Sequence, residues 1–299
     1  MKTKDKIDQA STLRKISNAN EKISNLKKNS LGTTRVISFT SGKGGVGKTN
    51  IVSNLAFLFT TLGKKVFVLD ADIGLANIDI MLGLAPEYNL QHVLSGHKSI
   101  SDIIIEGPGG MKIFPASSGV QELSELSNDQ KLCLLSEFES INEDIDLFLI
   151  DTGAGISSNV MYFNMAAQEK IVIATPEPTS ITDAYAVMKV MSKKYSIKAF
   201  KLIVNETKDA KEAKGLYDNL SSVSERFLDI SIDYLGYIVN DNHVSQAIRN
   251  QKLLTILYPG AESSLCLLNL AKKILESKPA VMPGGNIGFF WNSLLDNTT

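Results

Sequence analysis

The sequence predicts an α/β protein built on a doubly wound, mostly parallel sheet with helices on both faces. Three observations carry this. Short apolar runs recur between residues 35 and 239, and most are continuous rather than alternating, as strands covered on both faces require. Stretches of helical periodicity lie between them, the alternation that yields a parallel sheet. A glycine-rich loop, "SGKGGVGKT", joins the first run to the first helical stretch.

In order, "RVISF" opens the sheet at Arg35, and "KTNIVSNLAFLFTTLG" is a helix that stops at Gly63. "KVFVLDAD" is the next strand. "MKIFPA" (111–116), "DLFLIDTG" (146–153), "KIVIATP" (170–176), "FKLIVNE" (200–206) and "YLGYIV" (234–239) repeat the idea. Residues 35–278 therefore read as one domain. Residues 1–34 form an arm with no strand pattern. Its apolar positions Ile7, Ala10, Leu13 and Ile16, then Ile23 and Leu26, suit a weak amphipathic helix that is unstable alone. "KPAVMPGG" (278–285) breaks structure with two prolines and two glycines. Residues 279–299 are then a linker and a C-terminal amphipathic helix.

The chain has 299 residues, 43% of them hydrophobic, enough for a well-buried core. The net charge of −1 is unevenly spread: residues 1–34 carry +5 and the remainder −6. No apolar stretch approaches the roughly 18–20 residues of a membrane span, and the N-terminus lacks the apolar core of a signal peptide. A soluble cytoplasmic protein is expected. Cys133 and Cys266 each sit in an apolar helical pattern and read as buried small hydrophobes, not as a metal site.

Gly42, Gly47, Lys48 and Thr49 match G-x-x-x-x-G-K-[ST] in the required setting, strand before and helix after. Glycines let backbone N–H groups turn around phosphate oxygens, and the helix aims its positive end at them. Lys48 then contacts the outer phosphates of ATP, and the Thr49 hydroxyl ligates Mg²⁺. Asp151 ends an apolar strand where a metal-proximal carboxylate belongs. Asp70 and Asp72 end the strand "VFVLDAD", and all three fall beyond the carboxyl ends of the strands, on the phosphate side. Such aspartates also cap turns and helices, so each has a purely structural alternative.

Lys43 has no place in an ordinary phosphate loop. Lys43-Gly44-Gly45-Val46-Gly47-Lys48-Thr49 resembles the deviant Walker A loop of the MinD/ParA family, over about residues 35–278. The resemblance implies an ATP-dependent homodimer in which Lys43 reaches the phosphates of the partner subunit's nucleotide. It implies that Asp72, in "DADIGLANIDIMLG", positions the attacking water, and that "DTGAGIS" is the second switch. It places Asn205 of "LIVNE" against the adenine edge. The loop at 239–241, "VND", departs from the proline-bearing pattern and leaves the adenine contacts there open.

Within that family, Asp8-Gln9-Ala10 and Leu13-Arg14 resemble the D-Q-A-x-x-L-R arm of the FlhG/FleN group, which governs flagellar placement and number. "DADIGLAN", "DTGAGI" and "PEPTSITDAYA" resemble the same group. The implied partners are the signal-recognition-particle-type GTPase FlhF, stimulated by the arm, and flagellar regulatory or basal-body proteins. Ile287, Phe290, Trp291, Leu294 and Leu295 follow i, i+3, i+4, i+7, i+8, an apolar face where the family has a membrane-binding helix. From Ala280 onward there is no Lys or Arg, so the usual basic face is missing. Peripheral contact with the inner face of the cell membrane and packing onto the protein's own body are both open. A DNA-partitioning ATPase would want a basic surface, and no specific nucleic acid is expected. A MinD/ParA-type division or cargo-partitioning ATPase is the alternative function. An ATP-binding scaffold without hydrolysis is a third reading. The nitrogenase iron protein shares the loop but needs paired cluster cysteines, which Cys133 and Cys266 do not supply.

Overall fold

The computed structural model describes residues 34–72, 78–115, 137 and 145–277. The arm residues Asp8, Gln9, Ala10, Leu13 and Arg14, the tail residues Ile287, Phe290, Trp291, Leu294 and Leu295, and Cys133 lie outside the described residues. The strands are β1 (Arg35–Ser41), β2 (Val66–Ala71), β3 (Ile105–Glu106), β4 (Lys112–Pro115), β5 (Leu147–Ala154), β6 (Glu169–Ala174), β7 (Ala199–Thr207) and β8 (Ser231–Val239). They form one sheet in the order β3-β4-β2-β5-β1-β6-β7-β8. Neighbours are parallel except β3 and β4. The helices are α1 (Lys48–Thr61), α2 (Ile78–Leu82), α3 (Leu90–Leu94), α4 (Ile100–Ile103), α5 (Ser158–Ala166), α6 (Pro178–Tyr195), α7 (Ala210–Leu228), α8 (Asn242–Arg249), α9 (Leu254–Leu257) and α10 (Glu262–Glu276).

The continuous apolar runs have the predicted cause. Ile37, Leu149 and Ile171 face α1 and α10, packing with Leu55, Phe59, Leu267 and Ile274. Their sequence neighbours Val36, Phe148 and Ile150 face the other way, onto Tyr162 and Phe163 of α5. Val172, Leu202 and Val204 meet α6 and α7 on that side. Each such large side chain, fully buried, stabilises the fold by about 1.5–3 kcal/mol. The chain leaves β1 to one side for β2, and β6, β7 and β8 build on the other side. The sheet's switch point is therefore at β1, and the crevice beyond its carboxyl end is where such sheets bind ligands.

Two details differ from the sequence reading. The sheet has an additional two-residue antiparallel edge strand, β3, too short to show a pattern. Cys266 lies on α10 as expected but is half-buried, not buried. The inward stripe of that helix is Leu267, Leu270, Ala271 and Ile274, and Cys266 sits at its margin.

The amino end of the sheet carries a buried ionic cluster. Arg35 Nε and Nη2 donate to the two carboxylate oxygens of Glu169, each at 2.9 Å. Lys201 Nζ donates to Glu169 Oε2 at 2.6 Å. Arg35 Nη1 donates to the carbonyl of Ile274 at 2.7 Å, and Nη2 to Ser277 Oγ at 3.2 Å. The cluster thus ties the end of α10 to three parallel strands.

Candidate nucleotide site

The phosphate loop connects Ser41 to Lys48 at the carboxyl end of β1. Gly45 and Gly47 take φ of 80° and 81°, left-handed values that only glycine adopts without strain. Gly42 has a different duty: a Cβ there would lie 2.1 Å from the carbonyl carbon of Asp183 in α6. At Gly47 a Cβ would meet Asn205 Nδ2 at 2.5 Å. The loop is therefore pressed between α6 and the end of β7. Helix α1 starts from Gly47 with no side-chain cap and no acidic residue in its first turn. Its N-terminal N–H groups and positive dipole end suit an anionic group.

Lys48 is buried, and its Nζ donates to Asp151 Oδ1 at 2.6 Å. The Thr49 hydroxyl donates to Asp151 Oδ2 at 2.6 Å. The strand register places Asp70 beside Asp151. Asp70 is buried, and its two oxygens accept the backbone N–H groups of Asp72 at 3.2 Å and Ile78 at 3.1 Å. It clamps both flanks of residues 73–77. Asp72 is half-buried, with Oδ1 only 3.1 Å from where a Cβ on Gly153 would stand. The two segments read from sequence as switches meet at that point.

The two lysines of the loop are treated differently. Lys43 lies outside the phosphate cradle with its side chain 39% exposed. It donates to the Glu177 carboxylate and to Thr179 Oγ1, the latter at 3.3 Å. Both acceptors belong to the start of α6, where Glu177 occupies the N-cap position without capping the helix. Glu206 completes the acidic group. Partial burial and the nearby Glu177 carboxylate push its pKa up, and Lys43 pulls it back. Sequence reasoning missed Glu177, Thr179, Asp183 and Glu206. The segment "PEPTSITDAYA" carried a signal, but nothing in it says which side chain meets Lys43.

A cavity of about 210 Å³ opens beside the loop, lined in part by Gly45, Gly47, Asn50, Asn205, Glu206 and Asp241. Asn205 Nδ2 donates to the carbonyl of Val46 at 2.9 Å, so this asparagine braces the loop while facing the cavity. Residues 239–241 line the same cavity. Asp241 accepts from the His243 N–H at 2.9 Å and the Ser263 hydroxyl at 2.7 Å, which starts α8 and fastens it to α10.

The arrangement fits a nucleoside triphosphate with Mg²⁺. The loop supplies N–H donors and a buried ammonium for phosphates. Thr49 and Asp151 supply a hydroxyl and a carboxylate, enough for Mg²⁺, which usually takes few protein ligands and the rest from phosphate and water. Among the described residues there is no cluster of three or more His, Cys, Asp or Glu to form an all-protein metal cage. No helix among them is long and apolar enough to cross a membrane.

Comparison with known proteins agrees with this geometry. Residues 34–212 match the AAA domain family. The chain is 38% identical over 268 residues to the antiactivator FleN of Pseudomonas aeruginosa, covering 90% of this chain and 96% of that protein. It is 34% identical over 268 residues to the flagellum site-determining protein YlxH of Helicobacter pylori, covering 88% and 90%. A chain of the MinC:MinD cell division complex of Aquifex aeolicus superposes with a TM-score of 0.66 at 26% identity, covering 84% of this chain and all of that one. MinD of Pyrococcus horikoshii, solved with Mg-ADP, superposes with a TM-score of 0.64 at 23% identity, covering 81% and 96%, a likeness of fold. Loop, strand-end aspartates, sheet order and these likenesses lead to one assignment: the chain belongs to the AAA-domain family and, within it, to the FleN/FlhG group of MinD/ParA-type P-loop proteins.

Proposed function

We propose that this protein is a Mg²⁺-dependent ATPase that works as a dimerising switch in the control of flagellar number and placement. The observation that supports it most is the unequal treatment of the two loop lysines. Lys48 is buried inside the phosphate cradle, whereas Lys43 stands on its rim, held by two exposed partners of its own chain. A cation so placed is available to a second molecule docking on the loop. Lys43 of the partner subunit would then meet the phosphates of this chain's ATP, which makes dimerisation depend on the triphosphate.

In this reading Lys48 leaves Asp151 for the outer phosphates, while the loop N–H groups hold the rest of the chain of phosphates. Thr49 and Asp151 would hold Mg²⁺, with Asp70 beside them in register. Bound there, the metal would supply neutralisation of the phosphate charge. Asp72 orients the attacking water, and Gly153 lets its carboxylate approach. Asn205 and residues 239–241 line the base side. Hydrolysis removes the γ-phosphate and loosens the dimer.

The N-terminal arm would bind and stimulate the GTPase FlhF through Gln9, Leu13 and Arg14, beside Asp8 and Ala10. Stimulation undiminished in a Gln9→Ala, Arg14→Ala double variant would sink that part. The tail, through Ile287, Phe290, Trp291, Leu294 and Leu295, would give peripheral membrane contact to a cytoplasmic protein. Its own contribution should depend little on headgroup charge. A MinD/ParA-type division or cargo role remains the second reading, favoured by the likeness to MinD structures, and flagellar counts in a deletion strain distinguish them. Nucleic-acid binding is not expected, and a salt-dependent gel-shift assay checks it.

The central test is size-exclusion chromatography with Mg²⁺ and ADP or ATP. We expect a monomer with ADP, a dimer with ATP, and a more persistent dimer for Asp72→Ala. Lys43→Ala should bind nucleotide and remain monomeric. Normal dimerisation and hydrolysis by Lys43→Ala would overturn the proposal.

A further inference from the structure

Helices α2 and α8 end against each other beside the nucleotide cavity. Helix α8 forms part of the cavity wall through Val244, Ser245 and Ile248, and Leu254 of α9 extends it. Helix α2 begins at Ile78, the sixth residue after Asp72. Both helices close in the same way. At α8 the Gln251 N–H donates to the carbonyl of Ile248 at 3.0 Å and the Lys252 N–H to that of Ala247 at 3.1 Å. At α2 the Gly83 N–H donates to the carbonyl of Ile80 at 3.2 Å and the Leu84 N–H to that of Asp79 at 2.8 Å. This closure takes a left-handed residue just past the helix, and glycine is its usual occupant. Gly83 complies, at φ 64°. Gln251 takes φ 50°, a strained value for a residue with a side chain.

The Gln251 side chain supplies a reason for that strain. Its Nε2 donates to the carbonyl of Ile80 at 3.0 Å, across 171 positions of sequence. Its stem lies beside Gly83, where an added Cβ would stand 3.6 Å from the Gln251 Cβ. The far end of α2 is thus fastened to the turn between α8 and α9. The near end is fastened by Asp70, which accepts from the Ile78 N–H at 3.1 Å and, on its other oxygen, from the Asp72 N–H at 3.2 Å. We propose that Gln251 is a positioning residue for ATP hydrolysis: it fixes the far end of α2 and, through α2 and Asp70, the placement of Asp72. This rests on the reading of Asp72 given above, and adds a residue outside the cavity lining.

One hydrogen bond can matter here because α2 is short. It has five residues, of which only Ile78 is buried, too few for a helix to hold itself together. Met81, Leu82 and Leu84 pack against the core from partly exposed positions. Apolar contact of that kind is non-directional. The polar anchors at the two ends, Asp70 and Gln251, set the pose.

The test is single-turnover ATP hydrolysis by the full chain with Mg²⁺, read beside fluorescent-nucleotide affinity and the urea midpoint. Gln251→Gly removes the hydrogen bond and the backbone strain together. Its rate should fall about three- to tenfold, the contribution of one neutral hydrogen bond, with affinity unchanged and the midpoint no lower. Gln251→Glu keeps the length and the backbone but has no proton to donate near neutral pH, and should lose at least as much rate. Gln251→Lys can donate to the same carbonyl and should restore most of it. In an Asp72→Ala background Gln251→Gly should cost nothing further, since both act through one carboxylate. A wild-type rate per folded molecule in Gln251→Gly and Gln251→Glu overturns the proposal. So does a loss of affinity that matches the loss of rate, because Gln251 then serves the cavity wall. An equal further loss in the Asp72→Ala background overturns it too, because Gln251 then acts apart from Asp72. A slow Asp72→Ala beside normal Gln251 variants removes this proposal alone. If Asp72→Ala itself hydrolyses at the wild-type rate, the reading of Asp72 fails and carries the proposal with it.

Discussion

Both ends of the central sheet bury a cation against a carboxylate, and the two constructions behave differently. At the amino end Glu169 receives Arg35 on both oxygens and Lys201 on one, while Arg35 also reaches Ile274 and Ser277. At the carboxyl end Lys48 meets Asp151 beside an uncapped helix N-terminus, two left-handed glycines and a cavity of about 210 Å³. The first cluster is saturated by the protein itself. In the proposed function the second is a placeholder: phosphate oxygens would take over the Lys48 ammonium while Asp151 would turn to the metal. A buried ion pair is a fixture or a switch according to whether a competing anion has somewhere to sit.

The largest effects on activity should fall at the carboxyl end. Asp72→Ala should lower the hydrolysis rate by about 10²–10⁴-fold, the usual range for loss of a positioned proton acceptor. ATP affinity and dimerisation should survive. Lys48→Ala should instead lose nucleotide affinity itself. Single-turnover hydrolysis and a fluorescent-nucleotide titration measure the two. Hydrolysis unchanged in Asp72→Ala would remove the catalytic half of the comparison.

At the amino end the prediction is reversed. Arg35→Ala should destabilise in chemical denaturation by at most about 3–5 kcal/mol, because it removes the two-oxygen partner of the buried Glu169 carboxylate while Lys201 still holds one oxygen. Nucleotide affinity per folded molecule should be unchanged. A variant that unfolded no more easily, or that lost ATP binding while still folded, would break the distinction between the two ends.

The two ends were also unequally legible. The phosphate loop is local in sequence, so Lys48 and Thr49 could be placed from spacing alone. Asp151 followed because a strand-end carboxylate in a parallel sheet has one place to go. The strands were legible because burial on both faces leaves unbroken apolar runs, as in Leu147 to Ile150. The amino-end cluster was not. Arg35 and Glu169 are separated by 134 positions, and Arg35 and Ser277 by 242. No local pattern marks residues that pair only after the sheet is assembled. β3 escaped because two residues have no periodicity. Glu177 escaped because its role depends on where Lys43 points.

A smaller effect tests how tightly the loop is seated. Gly42→Ala would put a methyl group against the backbone of Asp183, which cannot rotate away. The loop or α6 must shift, at about 1–3 kcal/mol for overpacking. Because α6 begins at the Lys43 acceptors, nucleotide affinity and ATP-dependent dimerisation should fall together. Gly44→Ala, where a Cβ meets nothing within 4 Å, is the control and should be tolerated by the folded monomer.

The smallest effect distinguishes the two ends by pH. At the carboxyl end burial pushes the Asp241 pKa up, but hydrogen bonds from His243 and Ser263 outweigh it and hold it at about 2. An unfolded aspartate titrates near 3.9. Between those values the unfolded chain binds the proton and the folded one does not. The stabilisation is therefore complete above about pH 4 and lost as pH falls through about 2. At the amino end burial pushes the Lys170 pKa down to about 8, although Glu169 beside it favours the charged form. Its Nζ donates to the carbonyl of Ala167 at 2.6 Å. An unfolded lysine titrates near 10.4. From about pH 8 upward the folded protein has released a proton that the unfolded chain keeps, so stability rises with pH to about 10.4. Urea midpoints across the pH range measure both. Asp241→Asn should flatten the acid limb and spare the alkaline one. Lys170→Met should remove the alkaline rise and leave the acid limb as it is. If either substitution altered the opposite limb, the two ends would be coupled, and the separation drawn between them would fail.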